Sequence, residues 1–375
     1  MEMNALDELS TILRPPGQGI YLVSTGKAEQ VALAKRLLGA RSEAEIHRAF
    51  VANLKKVENA RGIILGIPSD VGAGYRRGAN LGPQAIRTRL LDDDANWPTF
   101  CESHSIVDIG DAFVVPQLLH DSMLSNDLLD ASRAAVYPHI ESNVRATLPV
   151  SPLSIAERAV DLILSQNPAA KIFALGGDHS TSWPIVSAVD RSRKKTHGAP
   201  WGIVQIDAHT DLLSERLGIR YCFATWSFHA NELLGRNGRL TQAGIRASAR
   251  DRHHWESTLG VRQFWADEIL RDPTAVMEAL VAHVKATGIR QLYFSNDIDG
   301  TDSRWADATG TPEPNGLTPD WILALVERLG REFELLGGDV MEVAPPLSAV
   351  SERTVGIAAK YFRATIEAAL QSQNA

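Results

Sequence analysis

Short apolar runs alternate with longer amphipathic stretches along this chain. The runs at 61–66 (RGIILG), 105–109 (SIVDI), 171–175 (KIFAL), 201–206 (WGIVQI), 291–295 (QLYFS) and 334–337 (ELLG) are apolar over most of their length. That is the pattern of strands covered on both faces in a parallel sheet. Apolar residues recur at helical spacing over 28–38, 154–164, 275–286, 320–329 and 355–370. Pro83 opens a further predicted helix in GPQAIRTRLL, at a position where a missing backbone N–H does no harm. Strands alternating with helices predict an α/β domain of three layers, α/β/α, with a central and mostly parallel sheet and right-handed crossovers.

The first 60 residues follow a different pattern. LRPPGQGIYLVSTG is rich in turn formers, and two amphipathic helices follow before the first apolar run. Residues 1–60 are expected to form an N-terminal helical extension packed on the main domain, 61–375, or on a neighbouring subunit. There is no linker, repeat or low-complexity tract to divide the remainder.

In open parallel sheets, ligands gather at the carboxyl ends of the strands, so the residues just after each run carry the most information. KIFAL leads into Gly176-Gly177-Asp178-His179-Ser180, and WGIVQI into Asp207-Ala208-His209-Thr210-Asp211. QLYFS leads into Asn296-Asp297-Ile298-Asp299, and ELLG into Gly338-Asp339-Val340-Met341-Glu342. Asp207, His209 and Asp211 stand at i, i+2 and i+4, which points alternate side chains of extended backbone the same way. Asp297 and Asp299 repeat that spacing. With His179, two imidazoles and four carboxylates are expected to converge on one small volume.

Four crowded carboxylates cannot all stay ionised without compensation, because an unpaired buried charge costs several kcal/mol per ion. Two divalent cations would supply it. An oxygen-rich site with a few imidazoles suits Mn²⁺ and also admits other first-row ions such as Ni²⁺. Two such ions can share a water and lower its pKa towards neutrality.

Composition narrows the alternatives. The 375 residues carry 38 Lys+Arg against 45 Asp+Glu, a formal charge of −7, with no basic cluster. A nucleic-acid or anionic-membrane partner is therefore not expected. Cys101 and Cys222 are too few for a disulfide framework. No apolar run approaches the ~20 residues of a membrane span, and no export signal opens the chain, so a cytoplasmic location is expected. Of the −7, four charges fall on Asp207, Asp211, Asp297 and Asp299. Two divalent ions would cancel those four and leave about −3.

GGDHS at 176–180, DAHTD at 207–211, and SNDIDGTD at 295–302 with ATGTPEPNGLT at 308–318 resemble the metal-binding signatures of the ureohydrolases. That family includes arginases, agmatinases, guanidinobutyrases, guanidine hydrolases and formimidoylglutamases. GAGYRRGANLGPQAIR at 72–87 resembles its early Gly/Arg-rich segment, and GGDVMEVAPP at 337–346 its last motif. The resemblance runs over roughly 61–365 and implies an arginase-like fold. It further implies a metal-dependent hydrolase that cleaves a C–N bond of a guanidino compound and releases urea, or formamide from a formimino substrate. Homotrimers or homohexamers are usual in the family. Carried over by residue, His179 and Asp211 would belong to one metal and His209 and Asp299 to the other, with Asp207 and Asp297 shared. Asp299 would also steady the attacking water. Glu342 would pair with the substrate guanidinium and Thr311 would lie beside it.

One segment departs from the family. Its Tyr-Ser-His-Gly-Thr-like stretch, whose His shuttles protons, is here Tyr221-Cys222-Phe223-Ala224-Thr225, so Phe223 stands where that His would be. His229 is a candidate replacement imidazole, and Phe223 and Trp226 are candidate apolar walls of the substrate pocket. The departure also allows a catalytically weak, metal-binding subunit that supports an active homologue. Arg216 and Arg220, on the same segment, are candidate contacts for a substrate carboxylate.

Overall fold

The computed structural model describes residues 3–74 and 76–371. Among these, nine strands form one sheet: β1 (Leu13–Arg14), β2 (Gly62–Ile67), β3 (Ile106–Ala112), β4 (Lys171–Gly176), β5 (Trp201–Ile206), β6 (Leu240–Ile245), β7 (Arg262–Trp265), β8 (Gln291–Asp297) and β9 (Glu334–Met341). Their order across the sheet is β1-β3-β2-β4-β9-β8-β5-β6-β7. Every neighbouring pair is parallel except β1 with β3. The six predicted strands are all present. β1, β6 and β7 carry no apolar run that would have predicted them.

Alternation within the strands builds two cores. Ile63, Leu65, Ile172 and Ala174 point into one, covered by the helices Pro152–Gln166 and Ser182–Lys195. Ile64, Phe173, Leu175 and Phe294 point into the other, against Pro319–Glu332 and Ser351–Gln371. The layers are α/β/α, as the alternation of elements implied. Pro83 occupies the first turn of the helix Gly82–Asp93.

The first sixty residues fill an edge of this architecture. β1 pairs with β3, Leu13 facing Ala112. Leu9, Ile12, Leu13 and Phe50 lie in the same core as the sheet. Arg87 is fully buried and bonds both oxygens of Asp108 at 2.9 and 3.0 Å, and it also bonds Asp111. Asp111 in turn accepts the backbone N–H groups of Gly17 and Gly19 at 2.8 and 3.1 Å. The N-terminal segment is thus tied to the sheet by strand pairing, by apolar burial and by one buried ion-pair cluster.

Strand order explains where chemistry can gather. The chain runs β2, β3, β4, then jumps to β5, β6 and β7, and only afterwards inserts β8 and β9 into the gap between β4 and β5. The four central strands β4, β9, β8 and β5 are therefore neighbours whose carboxyl ends come from distant parts of the sequence, and the reversal of strand order opens a crevice there.

Candidate metal centre

Each of the four central strands delivers polar residues at its carboxyl end. His179 follows β4, while Asp207, His209 and Asp211 follow β5. Asp297 closes β8 with Asp299 two residues on, and Glu342 follows β9. GGDHS needs glycine at 177, because a Cβ there would run into the carbonyl of Ser69. Asp211 and Glu342 have φ of +50° and +62°, a conformation that costs a non-glycine residue free energy and persists where surrounding structure imposes it.

All six expected ligands come together. Nδ1 of His179 lies 3.2 Å from Asp207 Oδ2, 3.3 Å from Asp211 Oδ2 and 3.0 Å from Asp297 Oδ2. Nδ1 of His209 lies 3.0 Å from Asp299 Oδ2 and 3.7 Å from Asp207 Oδ1. Two groups able to hold an ion result, His179–Asp207–Asp211 and Asp207–His209–Asp299, with Asp207 common to both. All are buried except His209, whose side chain is 28 % exposed and marks the mouth.

The donor atoms fit divalent cations. Nδ1 of His179 is fully buried and has no hydrogen-bond partner, although three carboxylate oxygens crowd it. Its other nitrogen, Nε2, lies 3.0 Å from the Ser295 hydroxyl, which donates to Asp339 at 2.8 Å. Ser295 is thereby left to accept the N–H of Nε2, and the lone pair of Nδ1 faces the carboxylates. Asp339 also takes Ser182 Oγ at 2.9 Å and the Asn296 N–H at 3.2 Å.

Without cations the protons crowd. Burial disfavours the charged His179 ring, yet Asp207, Asp211 and Asp297 outweigh it and hold its pKa well above the ordinary value. His209 is pushed up to about 12, its own burial being overcome by Asp299 and Asp207. Burial and the charge of Asp207 raise Asp211 to about 7, and burial with Asp299 and Asp207 raises Asp297 well above the carboxylate range. Asp207 falls, because the two imidazoles more than offset its burial. Groups pulled this far apart mark a site built for more positive charge than the side chains supply.

Around the cluster the expected substrate residues divide. Glu342 accepts the His179 N–H on Oε1 at 3.0 Å. Its Oε2 has no hydrogen-bond partner among the described residues, and Gly310 borders it. Burial and nearby Asp178 raise its pKa well above the usual carboxylate value. Thr311 donates to Asp299 Oδ2 at 2.9 Å. Phe223 is half-buried, its N–H on the Gly72 carbonyl at 3.1 Å and the Arg216 guanidinium 5.2 Å from its ring centre.

Two expectations need correction. Trp226 is not an open pocket wall: it is fully buried, donates Nε1–H to Asp211 Oδ2 at 3.0 Å and packs on the His179 ring at 4.6 Å. His229 does not reach the cluster. Its Nε2 faces the Arg220 carbonyl at 3.0 Å and its ring sits among Trp183, Tyr221 and Phe228. The helix Trp226–Leu234 turns 226 towards the sheet and 229 towards the neighbouring helix.

One contributor gave no sequence signal. Arg246 donates to the carbonyls of Asp299 at 2.6 Å and Glu313 at 2.9 Å, lacing together the loop that carries Asp299 and Thr311. Ser295 and Asp339 belonged to quoted motifs, but only the fold shows them behind His179.

The model of the arginase family matches residues 60–367. The chain belongs to the arginase family. It is 31 % identical over 291 residues to a guanidinobutyrase of Pseudomonas aeruginosa, covering 75 % of this chain and 78 % of that protein. It is 27 % identical over 324 residues to an agmatinase of Bacillus subtilis, covering 86 % and 96 %. The solved structure of the proclavaminate amidinohydrolase of Streptomyces clavuligerus superposes with a TM-score of 0.62 at 27 % identity, over 84 % of this chain and 93 % of that one. The nine-stranded α/β/α architecture is thus the arginase-family fold, and the chain is a hydrolase of the type that acts on guanidino compounds. Among the described residues no helix is long and apolar enough to cross a membrane.

Proposed function

We propose that the chain hydrolyses a C–N bond of a small guanidino compound, releasing urea and an amine or ammonia, at a pair of divalent cations held by His179, Asp207, His209, Asp211, Asp297 and Asp299. One observation carries the reading. Asp207 presents Oδ2 to His179 and Oδ1 to His209, so a single carboxylate addresses both halves of the cluster. Mn²⁺ fits this oxygen-rich donor set, with Ni²⁺ the alternative. When bound, such a pair supplies Lewis acidity and a water of lowered pKa.

The remaining roles fall to side chains of this chain. Glu342 Oε2 offers a carboxylate oxygen to the planar cation of a guanidino group, for which a two-oxygen acid is the matching partner. Thr311 fixes Asp299 Oδ2 on the open side of the cluster. That oxygen is the group we assign to accept the proton of the attacking water and return it to the departing nitrogen. With Phe223 at the position of the family's shuttle His and His229 turned to the Arg220 carbonyl, this reading assigns the step to Asp299 and to no third imidazole among the described residues. In keeping with the family, the enzyme is proposed to act as a cytoplasmic homotrimer or homohexamer.

The test is a substrate panel. Mn²⁺-loaded protein is incubated with guanidine, 4-guanidinobutyrate, agmatine, arginine and N-formimidoyl-glutamate, and urea, formamide and ammonia are measured. Metal-dependent urea release supports the reading. Formamide alone would move it to the formimino class. Silence across the panel with two ions bound would refute it and favour the catalytically weak subunit.

A further inference from the structure

Three glutamines lie side by side on adjacent parallel strands. Gln205 of β5 is in register with Gln242 of β6, and Gln242 with Gln263 of β7. All three side chains are fully buried, an unusual place for amides unless every polar atom finds a partner. They find one another. Trp265 Nε1–H donates to Gln263 Oε1 at 3.0 Å, Gln263 Nε2 to Gln242 Oε1 at 2.8 Å, Gln242 Nε2 to Gln205 Oε1 at 2.8 Å, and Gln205 Nε2 to Asp207 Oδ2 at 2.7 Å.

The direction of this series is fixed at both ends. An indole N–H can only donate and an ionised carboxylate can only accept, so each amide between them has one permitted orientation. Side branches reinforce it: Ser227 donates to Gln205 Oε1 at 2.8 Å, and Gln242 Nε2 also holds the Thr210 carbonyl, inside the DAHTD segment, at 2.7 Å. Successive amides in a dry interior polarise one another in the same sense.

We propose that Trp265, Gln263 and Gln242 are positioning residues that act through Gln205 to set the orientation of Asp207, the carboxylate shared by both halves of the centre. The proposal rests on the metal-pair reading above. The series starts two strands away from the cluster-bearing strand β5, so Trp265 and Gln263 reach the centre through Gln242, which passes their influence to Gln205 and to the Thr210 carbonyl. It leaves Asp207 Oδ1 to the His209 side and pins Oδ2 where His179 and the amide meet it. Loss of a partner behind a metal ligand typically weakens metal binding about 10–100-fold.

The experiment is calorimetric titration of the metal-free full chain with Mn²⁺ at fixed pH, on wild type, Trp265→Phe, Gln263→Met and the double variant, with folding checked by circular dichroism. Trp265→Phe removes one N–H from a half-buried ring and is the variant least able to disturb the fold. Each single variant is expected to raise the Mn²⁺ Kd about tenfold. The double variant should bind no worse than Gln263→Met alone, because the indole reaches Asp207 only through that amide. Unchanged Kd in both single variants would overturn the proposal, as would losses that add in the double variant. Independent structural roles would lower thermal stability and leave Kd alone. If wild type takes up no Mn²⁺, the metal-pair reading itself fails and the proposal falls with it.

Discussion

The indole of Trp226 donates to Oδ2 of Asp211 at 3.0 Å while the same ring packs against the imidazole of His179. One buried aromatic residue thus holds two of the side chains that surround the first half of the centre. Trp226→Phe keeps most of the packing and deletes the hydrogen bond. It should weaken Mn²⁺ binding about tenfold, read by metal titration, and leave the fold intact by circular dichroism.

Glu342 is the residue proposed to bind substrate, and among the described residues its carboxylate accepts one hydrogen bond, on Oε1 from the His179 N–H. Glu342→Gln preserves shape and removes the charge that a guanidinium needs. A charged hydrogen bond contributes roughly 1.5–3 kcal/mol, so kcat/KM should fall at least tenfold while elemental analysis still finds the wild-type metal content. Loss of metal with unchanged KM would reverse the assignment.

Arg87 joins Asp108 and Asp111 in the interior, and Asp111 fastens the Gly17–Gly19 turn. Removing one member of a buried charged cluster costs about 3–5 kcal/mol, because the remaining charges lose compensation. Arg87→Met should destabilise by that order in urea unfolding and should make the first twenty residues the earliest site of limited proteolysis. Deletion of 1–60 removes Leu9, Ile12, Leu13 and Phe50 and exposes the apolar core surface they cover, and we expect the truncated chain to be insoluble.

His229 titrates below its ordinary range, chiefly because burial disfavours the charged ring. The unfolded chain then binds its proton first as pH falls through the ordinary histidine value of about 6.5. Its contribution to stability is present above that pH and lost below it. His229→Gln keeps a donor for the Arg220 carbonyl but does not titrate. Its melting temperature should fall less steeply than wild type between pH 7 and 5, and its kcat should stay near wild type. A collapse in kcat with unchanged stability would restore His229 as a catalytic base.

Much of this was written in the sequence, for identifiable reasons. Strands covered on both faces are continuous apolar runs, and carboxylates at i, i+2 spacing just after such runs reveal both the sheet and the edge where they gather. β6 and β7 stayed hidden because their sheet-facing positions hold Gln242 and Gln263, and buried glutamines erase the apolar signal that marks a strand. Those hidden residues are the ones that back Asp207. β1 is only two residues long, too short for any period to show. The roles of Trp226 and His229 depend on which way one helix is rotated, and a three-residue separation does not reveal which of the two faces the sheet.

The paired centre itself is tested most directly by anomalous diffraction from crystals of the full chain equilibrated with Mn²⁺. We predict two manganese peaks per chain, one against His179 and Asp211 and the other against His209 and Asp299, with Asp207 in contact with both. A single peak, or two peaks with Asp207 touching only one of them, would contradict the account.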